Sequence, residues 1–335
     1  MGSHKETEIK YLDKTNELLS DMPDYVKAYI RSIHQRVSPR TEYEYVKDIM
    51  YFFDWVKASG FTDALPSLSV MNSFKKTDFE DYLLYLEHYE KNGVERTNGR
   101  TSIKRKLSAL NSFFSFLYIN EYIDKNEVSK INPPKTNKKE IIYMEHDETG
   151  HLIHTVNTGM GLSLRQQKLH NKVQVRDSAI VTLLLSTGMR CSELCELDLD
   201  DIDEDNFCIH IVRKGGSEAL LYYSDDAADY LHQYLIKRKA LEVNTKALFL
   251  SNRNDRISPS TVRYLVKKYA KAAVPLKHIT PHKLRATYAT NLYEATDDIY
   301  LVANALDHKS VNTTAKYYAN MSNKKKSDSR NKVKY

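Results

Sequence analysis

Cysteine is scarce, with only Cys191, Cys195 and Cys208 in 335 residues. Three thiols cannot build a disulfide framework, and their spacing lacks the paired ligands of a zinc site, so they read as small buried hydrophobes. Glycine (10) and proline (8) are sparse as well, which excludes collagen-like and linker-like chains. No apolar run approaches the roughly 20 residues of a membrane span, and no secretory signal is visible, so the expected location is cytoplasmic with no membrane partner. Neither a phosphate-binding lysine loop nor a dinucleotide glycine motif occurs, which leaves nucleotide-driven chemistry without support. The acidic cluster Glu196 to Asp203 lacks the glycine and closing glutamate of a calcium loop, and its alternating leucines read as a half-buried turn. No metal and no cofactor is expected. Met1-Gly-Ser-His4, a native start or an expression scar, is left out of the reading.

What is present is the balance of a two-domain globular protein, 41% apolar and 28% charged. The net charge of +6 is unevenly placed. Residues 322–335 carry six Lys/Arg against Asp328 alone, and residues 99–139 carry nine (among them Lys104, Arg105, Lys106, Lys135, Lys138 and Lys139) against three acidic residues. Such stretches suit a polyanion, and equally a solvated surface or a frayed tail.

Periodicity divides the chain. The first 130 residues read as helices: Ser38-Pro39 supplies an N-cap and a first-turn proline, and Tyr45, Ile49, Phe52, Phe53 and Val56 recur at helical spacing before Gly60. Thr77-Asp-Phe-Glu80 reads as a capping box, and Ile103, Leu107, Leu110, Phe114 and Leu117 form a stripe whose opposite, basic face suits phosphates. Asn132-Pro133-Pro134 and the basic run to Lys139 form a linker. Residues 147–157 and 176–187 read as helical, with a polar loop over 160–175 between them. From 200 to 223 the period changes: Phe207 to Val212 and Ala219 to Tyr223 flank Lys214-Gly-Gly, a β-hairpin. Helices resume to the end, and no internal repeat is evident.

The chemistry-bearing residues sit late in the chain. Thr280-Pro281 opens a helix, so His282 and Arg285 lie at i and i+3 on one face near a helix N-terminus, which favours a phosphate. Arg190 falls at a helix start or turn after Gly188, with Glu193 placed to orient it. Lys214 sits at the hairpin tip, and His308 precedes Tyr317-Tyr318. Taken singly, each is an ordinary surface or packing residue. Together, two imidazoles, two guanidiniums, a lysine and a phenol suit phosphodiester chemistry without a metal.

Arg176 through Leu194, Lys214-Gly-Gly, Thr280-Pro-His282-Lys-Leu-Arg285 and Leu306-Asp-His308 through Tyr317 resemble the active-site boxes of the tyrosine recombinases. Six residue types recur in order, with 24 residues from Arg190 to Lys214 and nine from His308 to Tyr317. The N-terminal part, Met22-Pro-Asp-Tyr25 and Thr41 to Trp55, is similar to Xer-type recombinases that work without a second Xer partner. Two positions depart from the family pattern: Asp307 stands where Gly is common, and Ala286 where His is common.

The resemblance implies a mainly α fold with a small β-sheet or hairpin in the C-terminal domain, arranged as a two-domain clamp. Its domains would be a helical core-DNA-binding domain (20–132), a basic linker (133–143), a catalytic domain (144–321) and a basic tail (322–335). It implies a nucleoid-associated site-specific recombinase that acts as a homotetramer on two double-stranded DNA recombination sites. Tyr317 would be the nucleophile, Arg190, Arg285 and His308 the phosphate ligands, Lys214 the general acid and His282 the base or orienter. Chromosome-dimer resolution and mobile-element integration or excision are both compatible with it. Two alternatives share parts of the residue set: a type IB topoisomerase, which a strand-exchange assay separates, and a non-catalytic DNA-binding regulator, which covalent trapping separates.

Overall fold

The computed structural model describes residues 3–91, 93–135, 142–213 and 216–307. The chain divides into two compact units, Met1–Lys139 and Glu140–Tyr335.

The first unit contains helices α1 (Ser3–Leu19), α2 (Asp24–Ile33), α3 (Pro39–Ala58), α4 (Leu68–Ser73), α5 (Lys76–Glu87) and α6 (Arg100–Ile119), with a hairpin of β1 (His88–Lys91) and β2 (Val94–Thr97) between the last two. The start of α3 follows its sequence signature: Ser38 Oγ accepts from the Thr41 amide at 3.4 Å, and Pro39 takes the first turn, where its missing N–H costs nothing. Gly60 then turns the chain out of the helix at φ +78°. Phe52, Phe53, Phe79, Phe113 and Phe114 are essentially solvent-free, and Phe52 stacks on Trp55 and Phe79 while meeting Tyr82 and Phe114 edge-on. Offset and edge-to-face rings of this kind add directionality to ordinary apolar burial.

Three expectations change in this unit. Helix α5 begins two residues earlier than the Thr77 box implies, because the Lys75 amide donates to Asp78 Oδ2 at 2.7 Å and makes Lys75 the cap. The hairpin His88–Thr97 replaces uniform helix; its strands are four residues long and β2 is exposed throughout, so no alternating pattern announces it. Lys106 is not on the exposed basic face of α6. It is 5% exposed, its Nζ donates to Asp48 Oδ1 at 2.9 Å and lies 4.0 Å from the Tyr51 ring centroid. Arg105 forks onto the same carboxylate at 2.5 and 2.9 Å. Asp48 is itself 1% exposed, so two cations offset the desolvation of one buried anion. Lys104 and Lys135 are exposed, whereas Lys138 and Lys139 lie outside the described residues.

The second unit contains α7 (His146–Thr158), α8 (Leu164–Thr187), α9 (Cys191–Glu196), a sheet of β3 (Ile202–Asp203), β4 (Cys208–Val212) and β5 (Glu218–Tyr222), then α10 (Asp225–Lys239), α11 (Pro259–Ala273), α12 (Pro281–Thr296) and α13 (Ile299–Ala305). The sheet is antiparallel in the order β3-β4-β5, with Ile209 opposite Leu221 and both buried. The expected loop over 160–175 is mostly helix. Ser163 and Gln166 form a reciprocal capping box, and α8 runs on without a break to Thr187. Its first half is polar because only His170 and Val173 are buried there, which hides the helical period from a hydrophobicity reading.

The second half of α8 is the axis of the core. Ala179, Ile180, Val181, Leu183 and Leu184 are fully buried against Leu152, Leu194, Ile209, Leu231, Val266 and Leu284. Asp177, 1% exposed, anchors the polar layer: Arg176 holds Oδ1 at 2.8 Å, and the Tyr269 hydroxyl donates to Oδ2 at 2.9 Å. Cys195 and Cys208 are buried and Cys191 is partly exposed, so two of the three thiols fit the small-hydrophobe reading fully. The acidic stretch after Glu196 is occupied by cations, with Arg256 bonded to Asp198 and Lys246 2.8 Å from Asp200.

Candidate active site

Helix α8, buried in its second half, ends at Gly188, two residues before Arg190. Gly188 adopts φ +61°, a left-handed conformation open to glycine, and a Cβ built there would lie 2.3 Å from Tyr288 Cδ1. The glycine thus lets α12 pack against the turn, and the turn delivers Arg190 to the N-cap of α9. Glu193, 7% exposed, then grips Arg190 twice: the Arg190 amide donates to Oε2 at 2.6 Å and Nη1 to Oε1 at 2.6 Å. A capping box and an ion pair from one carboxylate fix both the backbone and the guanidinium of this residue.

Arg285 comes from α12, one turn after Pro281, and is 7% exposed. Its Nη1 donates to the Gly188 carbonyl at 2.6 Å and its Nη2 to the Leu306 carbonyl. One side chain therefore ties the Arg190 turn to the end of α13. Burial first, and then the charge of Arg190, push its pKa down to about 10, so it remains a cation at neutral pH. His282 lies three residues earlier on the same helix and keeps solvent contact. The protein packed around its ring, followed by the charges of Lys283 and Arg285, holds its pKa below the usual 6.5, so a neutral imidazole prevails at pH 7.

Arg190, His282 and Arg285 are thus placed by adjoining segments: Arg285 bonds the Gly188 carbonyl two residues before Arg190, and the charge of Arg190 adds to the lowering of the Arg285 pKa while Glu193 and Asp307 oppose it. Lys214, His308 and Tyr317 lie outside the described residues. Asp307, the position that departs from the family pattern, adopts φ +52°, the left-handed conformation that Asp tolerates better than most residues. Its carboxylate lies 3.2 Å from Arg213 Nη1 and 3.8 Å from Arg190 Nη1. Arg213 carries no signal in the sequence beyond being a charged neighbour of Lys214.

The Phage integrase family matches residues 142–324, and the Phage integrase N-terminal SAM-like domain matches 26–121. The chain is 35% identical to tyrosine recombinase XerS of Streptococcus sanguinis over 91% of its own length and 94% of the relative's. It is 33% identical to tyrosine recombinase XerS of Lactococcus lactis over 88% and 91%. Among solved structures, the Tn1549 transposon integrase (residues 82–397) in complex with circular intermediate DNA shares the fold, with a TM-score of 0.64 at 20% identity over 88% of this chain and 94% of that one. XerH site-specific recombinase bound to its difH substrate has a TM-score of 0.62 at 21% identity over 84% and 76%. The family matches and the recombinase relatives together span both units, and the chain belongs to the phage integrase family as a Xer-type tyrosine recombinase, an enzyme of site-specific recombination.

Proposed function

We propose that the enzyme cleaves and rejoins duplex DNA through a 3′-phosphotyrosine intermediate formed on Tyr317. The observation that carries this reading is the convergence of Arg190 and Arg285 on the Gly188 turn, where each retains donors free for an anion. Guanidiniums are permanently charged and can bind the non-bridging oxygens of a phosphate in bidentate fashion, stabilising the charge that builds in the transition state. The phenolic oxygen of Tyr317 forms the new bond to phosphorus as the bond to the 5′-oxygen breaks. His282 takes or orients the phenolic proton, Lys214 protonates the departing 5′-oxygen, and His308 donates to the phosphate. The retained ester makes religation possible without a nucleotide. Paired cuts on two DNA sites within a homotetramer, weakly associated or monomeric off DNA, would exchange strands through a Holliday junction. The names of the XerS relatives, alike over nearly their whole length, support a cytoplasmic, DNA-directed role of this kind.

Every step is assigned to a side chain, so covalent trapping on a nicked duplex is expected to proceed at full rate in EDTA. Loss of trapping in chelator with rescue by magnesium would favour a two-metal nuclease instead. The pH profile gives a second reading. A histidine with a folded pKa below its unfolded value contributes stability above about pH 6.5, and that contribution is lost as pH falls through the lower folded value. The rate should follow the same sign, staying flat as pH falls to 6.5 and declining only below it.

The exposed face of α6 suits backbone phosphates. Lys104 is the clean probe, since Arg105 and Lys106 are committed to Asp48. Lys104→Ala should weaken binding to unrelated duplexes alike and reduce the slope of log K against log salt by about one. Lys106→Ala should instead lower the melting temperature, because it strips a cation from a buried carboxylate. A salt slope unchanged in Lys104→Ala would place this face away from DNA.

A further inference from the structure

Arg213 is a charged side chain, 9% exposed, that no step above employs. Its Nη1 lies 3.2 Å from Asp307 Oδ1, its Nη2 donates to the Ala305 carbonyl at 3.4 Å, and its buried Nε has no hydrogen-bond partner among the described residues. An incompletely satisfied buried guanidinium is a poor stabilising device, so its presence here points to a task other than stability.

The neighbours supply that task. Arg213 immediately precedes Lys214, and Asp307 immediately precedes His308. Both positions are fixed by backbone. The Arg213 amide donates to the Ser217 carbonyl at 2.8 Å and its carbonyl accepts from the Gly216 amide at 3.0 Å, which fixes Arg213 at the end of β4. Asp307 closes α13, donating from its amide to Asn304 at 2.9 Å, and Arg285 holds the adjoining Leu306 carbonyl. The second carboxylate oxygen of Asp307 stands 3.8 Å from Arg190 Nη1. One carboxylate therefore joins three segments: the hairpin leading to Lys214, the turn leading to His308, and the cap holding Arg190.

We infer that Arg213 and Asp307 are positioning residues for strand cleavage, an ion pair that registers the Lys214 hairpin against the phosphate clamp so that the lysine meets the departing 5′-oxygen. The inference rests on Lys214 acting as the general acid. Neither residue touches the reacting atoms; each acts through its neighbour. A hairpin released from the clamp misplaces the lysine, and misplacement of about 1 Å is enough to cost about 100-fold in rate.

The test compares cleavage of an ordinary phosphodiester with cleavage of a 5′-bridging phosphorothioate at the scissile position. In the second substrate the P–S bond breaks and a thiolate leaves, a group of pKa about 8.5 that needs no proton from an acid. Arg213→Ala and Asp307→Asn should each slow phosphodiester cleavage by about 10- to 100-fold. Both should come within about threefold of the unaltered enzyme on the phosphorothioate, as an acid-independent step requires. The double variant should be no slower than the slower single one, as expected for residues that act as a unit. Asp307→Asn keeps size and left-handed tolerance, so it carries the test even if Arg213→Ala folds poorly. Equal losses on both substrates, or no loss on either, would overturn the inference. Lys214→Ala separates the two readings: if its own defect is not rescued by sulfur, the general-acid role fails and the inference falls with it. If it is rescued while Arg213→Ala and Asp307→Asn are not, the positioning role alone falls.

Discussion

Tyr317→Phe is expected to bind a recombination site with unaltered affinity and to form no covalent adduct with a nicked suicide duplex, whereas Tyr318→Phe still forms one. An in-line displacement needs the attacking oxygen opposite the 5′-leaving group, and a near-attack geometry is satisfied by one side chain at a time. Adjacent residues on a helix point about 100° apart, and adjacent residues on a strand point to opposite faces, so the two phenols cannot share one alignment. The choice between them comes from spacing, nine residues from His308 to Tyr317. A phenylalanine in place of the nucleophile removes the only atom that can form the ester bond, and the loss should therefore be complete, not graded. The reverse pattern, with Tyr318→Phe inert and Tyr317→Phe trapped, would move the nucleophile by one residue and leave the reaction class intact. Adducts in both variants would show that a different residue attacks.

Legibility in the sequence followed how each feature is encoded. The cap of α3, the turn at Gly188 and the start of α12 are written in single residues with steric or hydrogen-bonding requirements, Ser38, Gly188 and Pro281, and these positions came out as read. The β4–β5 pairing was legible because β4 is an apolar run and its partner strand keeps one buried face. The first half of α8 was missed because it is a helix with a solvated surface, where hydrophobic period carries no signal and only the Ser163–Gln166 box marks the start. Lys106 was misplaced for a different reason. Three consecutive basic residues on a helix cannot all face one way at about 100° per residue, and which one turns inward depends on Asp48, 58 positions earlier. The grip of Glu193 on Arg190 is local, three residues apart, and was foreseeable. The links from Arg285 to Gly188 and from Arg213 to Asp307 span 97 and 94 positions and became visible only in three dimensions.

The length of the Arg285 link sets the second large effect. Arg285→Lys preserves charge, yet it should reduce cleavage by about 100- to 1,000-fold, the scale of losing a preorganised donor to a developing oxyanion. A guanidinium carries five N–H donors in a rigid plane, whereas an ammonium has three on one atom. In Arg285 the two terminal nitrogens are already divided between carbonyls on different segments, Gly188 and Leu306, and the remaining N–H groups are left for phosphate. A lysine cannot span both carbonyls, and if it satisfies one it turns away from the other. The same substitution should also lower stability by about 1–3 kcal/mol, the cost of leaving a buried carbonyl unpaired. Site binding should fall little, because most contacts to DNA are made elsewhere along the duplex. Measuring cleavage in single turnover at saturating enzyme removes any effect of binding, and a thermal melt reports the carbonyl loss independently. Cleavage by Arg285→Lys within about threefold of the unaltered enzyme would mean that charge alone suffices, contrary to the preorganised-fork role assigned to this arginine.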